Sequence, residues 1–210
     1  MARDRWEEVI VDDDGDPIDI APDVGARYIS TELPDTVDDV YIAGSVILWD
    51  GPGGILGVAA TTAINQDSNG KLHPKAGSMV FDEADVQDMI NFGTWTNVIL
   101  HEMGHVIGIG LLWKLNQLHS GIKTDDEYKG SEAKQVWEDM GCSGPLPVET
   151  DGSSGTAGFH WDETCLRGEL MPVQKSISAL AKVQRLRVCK VSSMSRSYTH
   201  AVSKDQARIL

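Results

Sequence analysis

Apolar positions recur along this chain with two different periods. In "WEEVIVDD" (6–13) and "DDVYIAGSVILWDGPGGILGVAATTAI" (38–64), Val and Ile recur between Gly and Pro punctuation, which predicts strands. "NQDSNGKLHPKAG" (65–77) is dense in turn residues and predicts a loop, and "GSMVFD" (77–82) a short strand. The period then lengthens. "DEADVQDMINFG" (82–93) carries acids in its first turn and a Gly after its last, which predicts a helix. In "TWTNVILHEMGHVIG" (94–108), Trp95, Val98, Ile99, Met103, Val106 and Ile107 form a broad apolar stripe, the mark of a largely buried helix. Residues 109–159 lack sustained periodicity. Within them "SEAKQVWEDMG" (131–141) predicts a short helix and "GSSGTAG" (152–158) a loop, and no internal repeat is visible.

The chemistry sits on the second helix. His101 and His105 are four residues apart, so a helix sets both on one face, able to aim two imidazoles at one ion. Glu102 lies about 100° further round, where it can face a water beside the ion without ligating. Zinc hydrolysis needs this division: the ion polarises a carbonyl and acidifies water, and the carboxylate takes the proton. The alternative is a chance match, with each His a satisfied core residue. Two imidazoles and a carboxylate on an otherwise apolar helix would be costly to bury without such a use. Gly108, three residues after His105, permits the left-handed turn that ends a helix. Leu111, where a contiguous motif would supply a third ligand, is no ligand. His73 and His200 read as surface residues. His119 is one rival third ligand, and Glu132, Glu138, Glu149 and Glu163 are the carboxylate rivals.

Length and charge narrow the classes. With 210 residues and 41% apolar content, one domain of two lobes is expected, 1–108 and 109–210. A net charge of −14 argues against a nucleic-acid partner, since phosphate binding needs Lys/Arg surfaces. No apolar run approaches the roughly 18 residues of a membrane span, and "MARDRWEEVIVDDDGD" has no signal-peptide core. The charge is uneven: residues 171–210 hold eight Lys/Arg and one acid.

"HEMGHVIGIGLLW" followed by "GTAGFHWDETC" and "ELM" resembles the leishmanolysin family of zinc metallopeptidases, in the metzincin clan. There a long insertion separates the glycine from a third histidine, and a methionine-containing turn lies below the metal. The likeness spans residues 50–171, including "GPGGILG" and "MVFDEAD", and is vaguer before residue 40. It implies an α/β (α+β), metzincin-like fold: a twisted mixed sheet with a backing helix and an active-site helix, then an irregular C-terminal lobe with a Met-turn. It implies one Zn2+ ion bound by His101, His105 and His160, with Glu102 as general base and Met171 in the Met-turn. Protein or peptide substrates follow from the resemblance, with "GSMVFD" as the edge strand that pairs with them. So do an extracellular or cell-surface location and a link to cell adhesion, although the missing signal peptide leaves a cytoplasmic location as the alternative. The competing readings are a metal-binding or adhesion module without turnover, and a hydrolase of non-peptide amides.

Cys142 and Cys165 bracket the His160 loop and would restrict it as a disulfide in an oxidising compartment. Two buried thiols are the alternative, and Cys189 has no evident partner. "VDDDGDPID" and "NQDSNGK" look like oxygen-rich calcium loops but lack the Glu at loop position twelve, so solvated turns are expected. The basic tail, 171–210, departs from the family. It opens as a helix at "ISALAKV", then loses apolar periodicity over 184–210, as a divergent exon or a shifted or unspliced reading frame would.

Overall fold

The computed structural model describes residues 2–8, 10, 18–19, 36–119, 127–152, 155–162, 166 and 170–171. In chain order its elements are α1 (Ala2–Glu7), β1 (Ile18–Asp19), β2 (Thr36–Val37), β3 (Tyr41–Ile47), β4 (Gly57–Gln66) and β5 (Leu72–Asp82). There follow α2 (Glu83–Asn91), α3 (Trp95–Val106), β6 (Glu127–Tyr128), α4 (Ser131–Asp139) and β7 (Leu146–Pro147). The expected sheet and helices of the first lobe are present, as is the short helix in 131–141.

Three strands carry the site. β5 lies between β3 and β4, parallel to β3 (Tyr41↔Ala76 to Ile47↔Asp82) and antiparallel to β4 (Gly57↔Phe81 to Gln66↔Leu72). The sheet is therefore mixed, and with its helices the described chain is α+β. β5 runs the length expected of a core strand: every residue from His73 to Asp82 is buried. This corrects two expectations. "GSMVFD" is the end of the central strand, and among the described residues the edges are β3 and β4. Residues 72–77, expected in a loop, are strand. Pro74 hides them from a pattern reading, since it cannot donate to a ladder. It is tolerated opposite Ile64, beside the register shift between Ala63 and Ile64. The turn itself is confined to Asp67–Lys71, where the Asp67 carboxylate accepts the amides of Asn69 and Lys71, both at 2.8 Å. "NQDSNGK" thus forms a turn closed by its own Asp67, and "VDDDGDPID", in 11–19, lies largely outside the described residues.

Of the expected strand over 6–13, residues 9 and 11–13 lie outside the described residues, and residues 6–8 need correction. α1 is helical, with Glu8 N–H on Asp4 O and Ile10 N–H on Trp6 O continuing its i→i−4 pattern. Arg3–Glu7 at 3.1 Å supports it at helical spacing. Trp6 decides its position: the indole Nε1–H donates to Leu100 O (3.2 Å), and the ring packs against two apolar clusters. One cluster joins β5 to α2 and α3 through Met79, Phe81, Met89, Val98 and Val106. The other gathers Trp113, Tyr128, Trp137, Leu146 and Trp161 from 109–171.

Asp82 ends β5 and organises the loop and the helix beside it. Its carboxylate caps α2 by accepting Ala84 N–H (3.0 Å). It also accepts the amides of Trp49 (3.4 Å), Asp50 (2.9 Å) and Gly51 (2.8 Å). Asp85 Oδ1 accepts Gly53 N–H at 2.7 Å, and Asp50 accepts Ile55 N–H. The loop 48–56 between β3 and β4 is thus held by carboxylates along 49–55 and by Leu56, which is buried in the sheet-side apolar cluster. Backbone amides, that of Ala84 foremost, lower the Asp82 carboxyl from 3.8 to about 2. A depressed carboxyl stabilises the fold fully above its unfolded value and loses that contribution as pH falls through the folded one. The stability gap between wild type and Asp82→Asn should therefore be full above about pH 4 and close between about pH 4 and 2. Urea melts of both proteins across that range test this, and a gap independent of pH refutes it.

Candidate metal centre

α3 is apolar around the site, and its last two turns carry the two helical histidines. Val98, His101, Glu102, Met103, Gly104, His105 and Val106 are all buried. His160 arrives from the segment after β7. Glu149 N–H donates to His160 O (2.9 Å), Gly158 N–H donates to Glu149 O (2.7 Å), and Val148 forms a bridge with Trp161. Trp161 is buried against Trp113 and Tyr128. The return path is therefore anchored on both sides of the histidine.

The three rings meet at their Nε2 atoms. His101 Nε2 lies 3.2 Å and His105 Nε2 3.1 Å from His160 Nε2. Among the described residues these three form the only group of His, Cys, Asp or Glu placed to hold a metal ion, with one donor atom each within 4.8 Å. The other ring nitrogens face main-chain carbonyls: His101 Nδ1 meets Leu170 O (2.8 Å), His105 Nδ1 meets Ile109 O (2.9 Å), and His160 Nδ1 meets Thr156 O (3.0 Å). A carbonyl oxygen can only accept, so each Nδ1 holds its hydrogen and each neutral ring presents an Nε2 lone pair. Three convergent lone pairs repel one another unless a cation lies between them. The donor set therefore fits a metal ion held by three imidazole nitrogens. Burial drives the His101 pKa down to about 4, with His160 adding to the effect, and drives His105 well below its ordinary value. Both rings stay in the uncharged form that a metal needs.

Glu102 is buried beside this group but lies outside it. Desolvation raises its carboxyl to about 8. Among the described residues it has no hydrogen-bond partner. It is accommodated by Gly57, the first residue of β4: a Cβ there would stand 3.1 Å from Glu102 Oε1 and 2.9 Å from Phe81. Met171 packs against α3 at Gly104, its sulfur 2.6 Å from where a Cβ would be, and its carbonyl accepts Trp161 N–H (3.1 Å).

The turn after the helix depends on two glycines. Gly108 has φ +104°, the left-handed turn expected of it. Gly110 (φ +78°) is a residue that the sequence pattern does not single out. It lies under the Phe159 carbonyl, one residue before His160, with no room for a Cβ. Its only sequence signal is the second glycine in "GIG".

The rival ligands lie elsewhere. His119 is buried in a bridge to Tyr128, while Glu132, Glu138 and Glu149 do not join the group, and Glu163 lies outside the described residues. His73, expected on the surface, is buried on β5 with its Nε2 3.3 Å from Asp67. Cys142, one half of the expected Cys142–Cys165 disulfide, is a free thiol, half-buried against the apolar cluster that contains Trp113, Tyr128 and Trp161. Cys165, Cys189, His200 and the tail from 172 lie outside the described residues. Among those described, no helix is long and apolar enough to cross a membrane. No protein-family model matches the chain, and no curated protein is significantly similar to it.

Gly110→Ala should push Phe159 and His160 off the shared point and weaken metal binding, probed with Zn2+, by about 10–100-fold, the usual cost of disturbing a ligand's support. Gly141→Ala is the control, because it meets the same left-handed strain (φ +80°) with open space around it. Zinc competition titrations decide the matter, and equal affinities for the two variants would refute a positioning role for Gly110.

Proposed function

We propose that this chain is a zinc-dependent metalloendopeptidase of the leishmanolysin-like, metzincin type. One observation carries the reading: three neutral imidazoles offer Nε2 lone pairs to one point, with an unpaired, buried carboxylate beside them on the same helix. Zinc held by His101, His105 and His160 would act as a Lewis acid toward a peptide carbonyl and make water more acidic. The remaining work falls to the chain itself. Glu102 accepts the proton of the attacking water on a carboxylate oxygen and delivers it to the departing amine nitrogen. Burial alone favours its protonated form, and a cation held by the neighbouring histidines would favour the carboxylate that accepts the proton. Leu170, Ile109 and Thr156 hold the imidazoles in one tautomer through both. β4, an edge of the sheet whose first residue touches Glu102, supports a peptide substrate because an extended chain can pair with an exposed strand. The same reading carries the proposed protein substrates and the extracellular or cell-surface setting.

Glu102→Gln should retain one zinc per chain and lose about 10²–10⁴ of the hydrolysis rate, because a base is removed and no ligand is. Metal content by atomic absorption and cleavage of unstructured casein are measured on the same sample, with chelator-treated wild type as the blank. Loss of zinc in the variant would make Glu102 a ligand and overturn its assigned role. Full activity in the variant would overturn the mechanism.

A further inference from the structure

An α-helix leaves its last four carbonyls without intrahelical partners. At the end of α3 these belong to Met103, Gly104, His105 and Val106. Three are taken by amides of the turn that follows: Ile107 N–H on Met103 O (2.9 Å), Ile109 N–H on Gly104 O (2.9 Å) and Gly108 N–H on His105 O (3.0 Å). Among the described residues no amide reaches the fourth. Val106 is fully buried, and a buried carbonyl without a donor is costly. The donor comes from the sheet. Thr61 Oγ1, on β4, lies 3.2 Å from Val106 O and 3.5 Å from His105 O. A hydroxyl has one hydrogen to donate, and the shorter contact takes it.

The pleat and register of the sheet put that hydroxyl there. Alternate residues of β4 face α3: Gly57 against Glu102, Ala59 packed on the cluster of Val98 and Val106, and Thr61 on the helix end. Opposite Thr61 stands Gly77, where a Cβ would collide with the Val106 side chain and lie 2.6 Å from Ala60 O, so strand and helix end are in direct contact. β4 bulges at the next residue: Thr61 pairs with Gly77 and Ala63 with Ala76, which leaves Thr62 over. Bulges bend a strand and re-aim its side chains. This one is kept although, among the described residues, it buries Thr62 Oγ1 without a partner. Val106 also lies in the turn that orients His105. His105 Nδ1 is bonded to Ile109 O, and the backbone between the two runs through the Val106 carbonyl. A hold on that carbonyl fixes the path by which Ile109 reaches the imidazole. We propose that Thr61 is a positioning residue for metal binding: its hydroxyl caps α3 at Val106 and so keeps His105 Nε2 on the point shared with His101 and His160. This rests on the metal-site part of the reading above and not on peptide hydrolysis.

The test uses the full-length protein and reads metal binding instead of turnover. Thr61→Val keeps the outline of the side chain and removes the hydroxyl, whereas Thr61→Ser keeps the hydroxyl and removes the methyl. Zn2+ affinity is measured by chelator competition well below the melting temperature of each apoprotein, and the visible bands of bound Co2+ report the ligand geometry. Thr61→Val should weaken Zn2+ binding by about tenfold, the lower end of what a ligand's support contributes, and shift the Co2+ bands. Thr61→Ser should stay within about twofold of wild type and keep its bands. Thr94→Val is the control: the Thr94 hydroxyl donates over the same 3.2 Å to Met89 O, at the end of α2, which carries no ligand. Its Zn2+ affinity should stay within about twofold of wild type, whatever its melting temperature does. Wild-type affinity and bands in Thr61→Val overturn the proposal and leave the metal centre standing. So does a loss in Thr61→Ser or in Thr94→Val as large as that in Thr61→Val, since packing or general loosening would then be the cause. If Thr61→Val does not fold, Thr61→Ala against Thr61→Ser makes the same comparison. If wild type itself binds no Zn2+, the metal reading fails and the role of Thr61 falls with it.

Discussion

Three imidazoles can share one point only if each is held in the tautomer that turns its lone pair inward. Here main-chain carbonyls do this, and each belongs to a different stretch of chain: Ile109 just past the helix, Thr156 on the returning loop, and Leu170 further on. The centre is therefore defined as much by backbone path as by the ligands. Everything that steers that path matters to the site, from the left-handed turns at Gly108 and Gly110 to the aromatic packing of Trp161 on Trp113 and Tyr128.

The two apolar clusters divide this work. The sheet-side cluster fixes α3 and with it His101, Glu102 and His105. The aromatic cluster fixes the segment that bears His160 and Met171. Trp6 touches both, so a helix of only six residues gains a role out of proportion to its length. Short helices are marginal alone and persist through such tertiary contacts.

The range of each interaction decides how much of it is legible in the sequence. His101, Glu102 and His105 lie within one helical turn, so spacing alone sets their relation. The helix of 82–93 is legible from its acids and closing glycine, with Asp82 as its cap. His160 is remote in sequence, and no local period links it to α3; only the likeness of "GTAGFHWDETC" to a known family points to it. α1 reads as a strand because Val and Ile come after Trp6, while the contact that decides the matter, Trp6 on Leu100, joins residues far apart in the chain. Pro74 hides the first half of β5, because a bulge in the partner strand is invisible in the strand's own sequence. Cys142 and Cys165 bracket the ligand loop, yet flanking positions do not bring two sulfurs together.

The bond from His101 Nδ1 to Leu170 O joins the helix to a residue 69 positions later in the chain. Thermodynamic linkage makes such a bond reciprocal. Any free energy by which a docked 170–171 segment strengthens ion binding is returned, in equal measure, as tighter docking of that segment when the ion is bound. A bound ion would thus act as a clamp on the C-terminal approach to the site. Chelation and protease nicking near residue 170 become two views of one equilibrium, each reporting on the other from opposite ends of the same hydrogen bond.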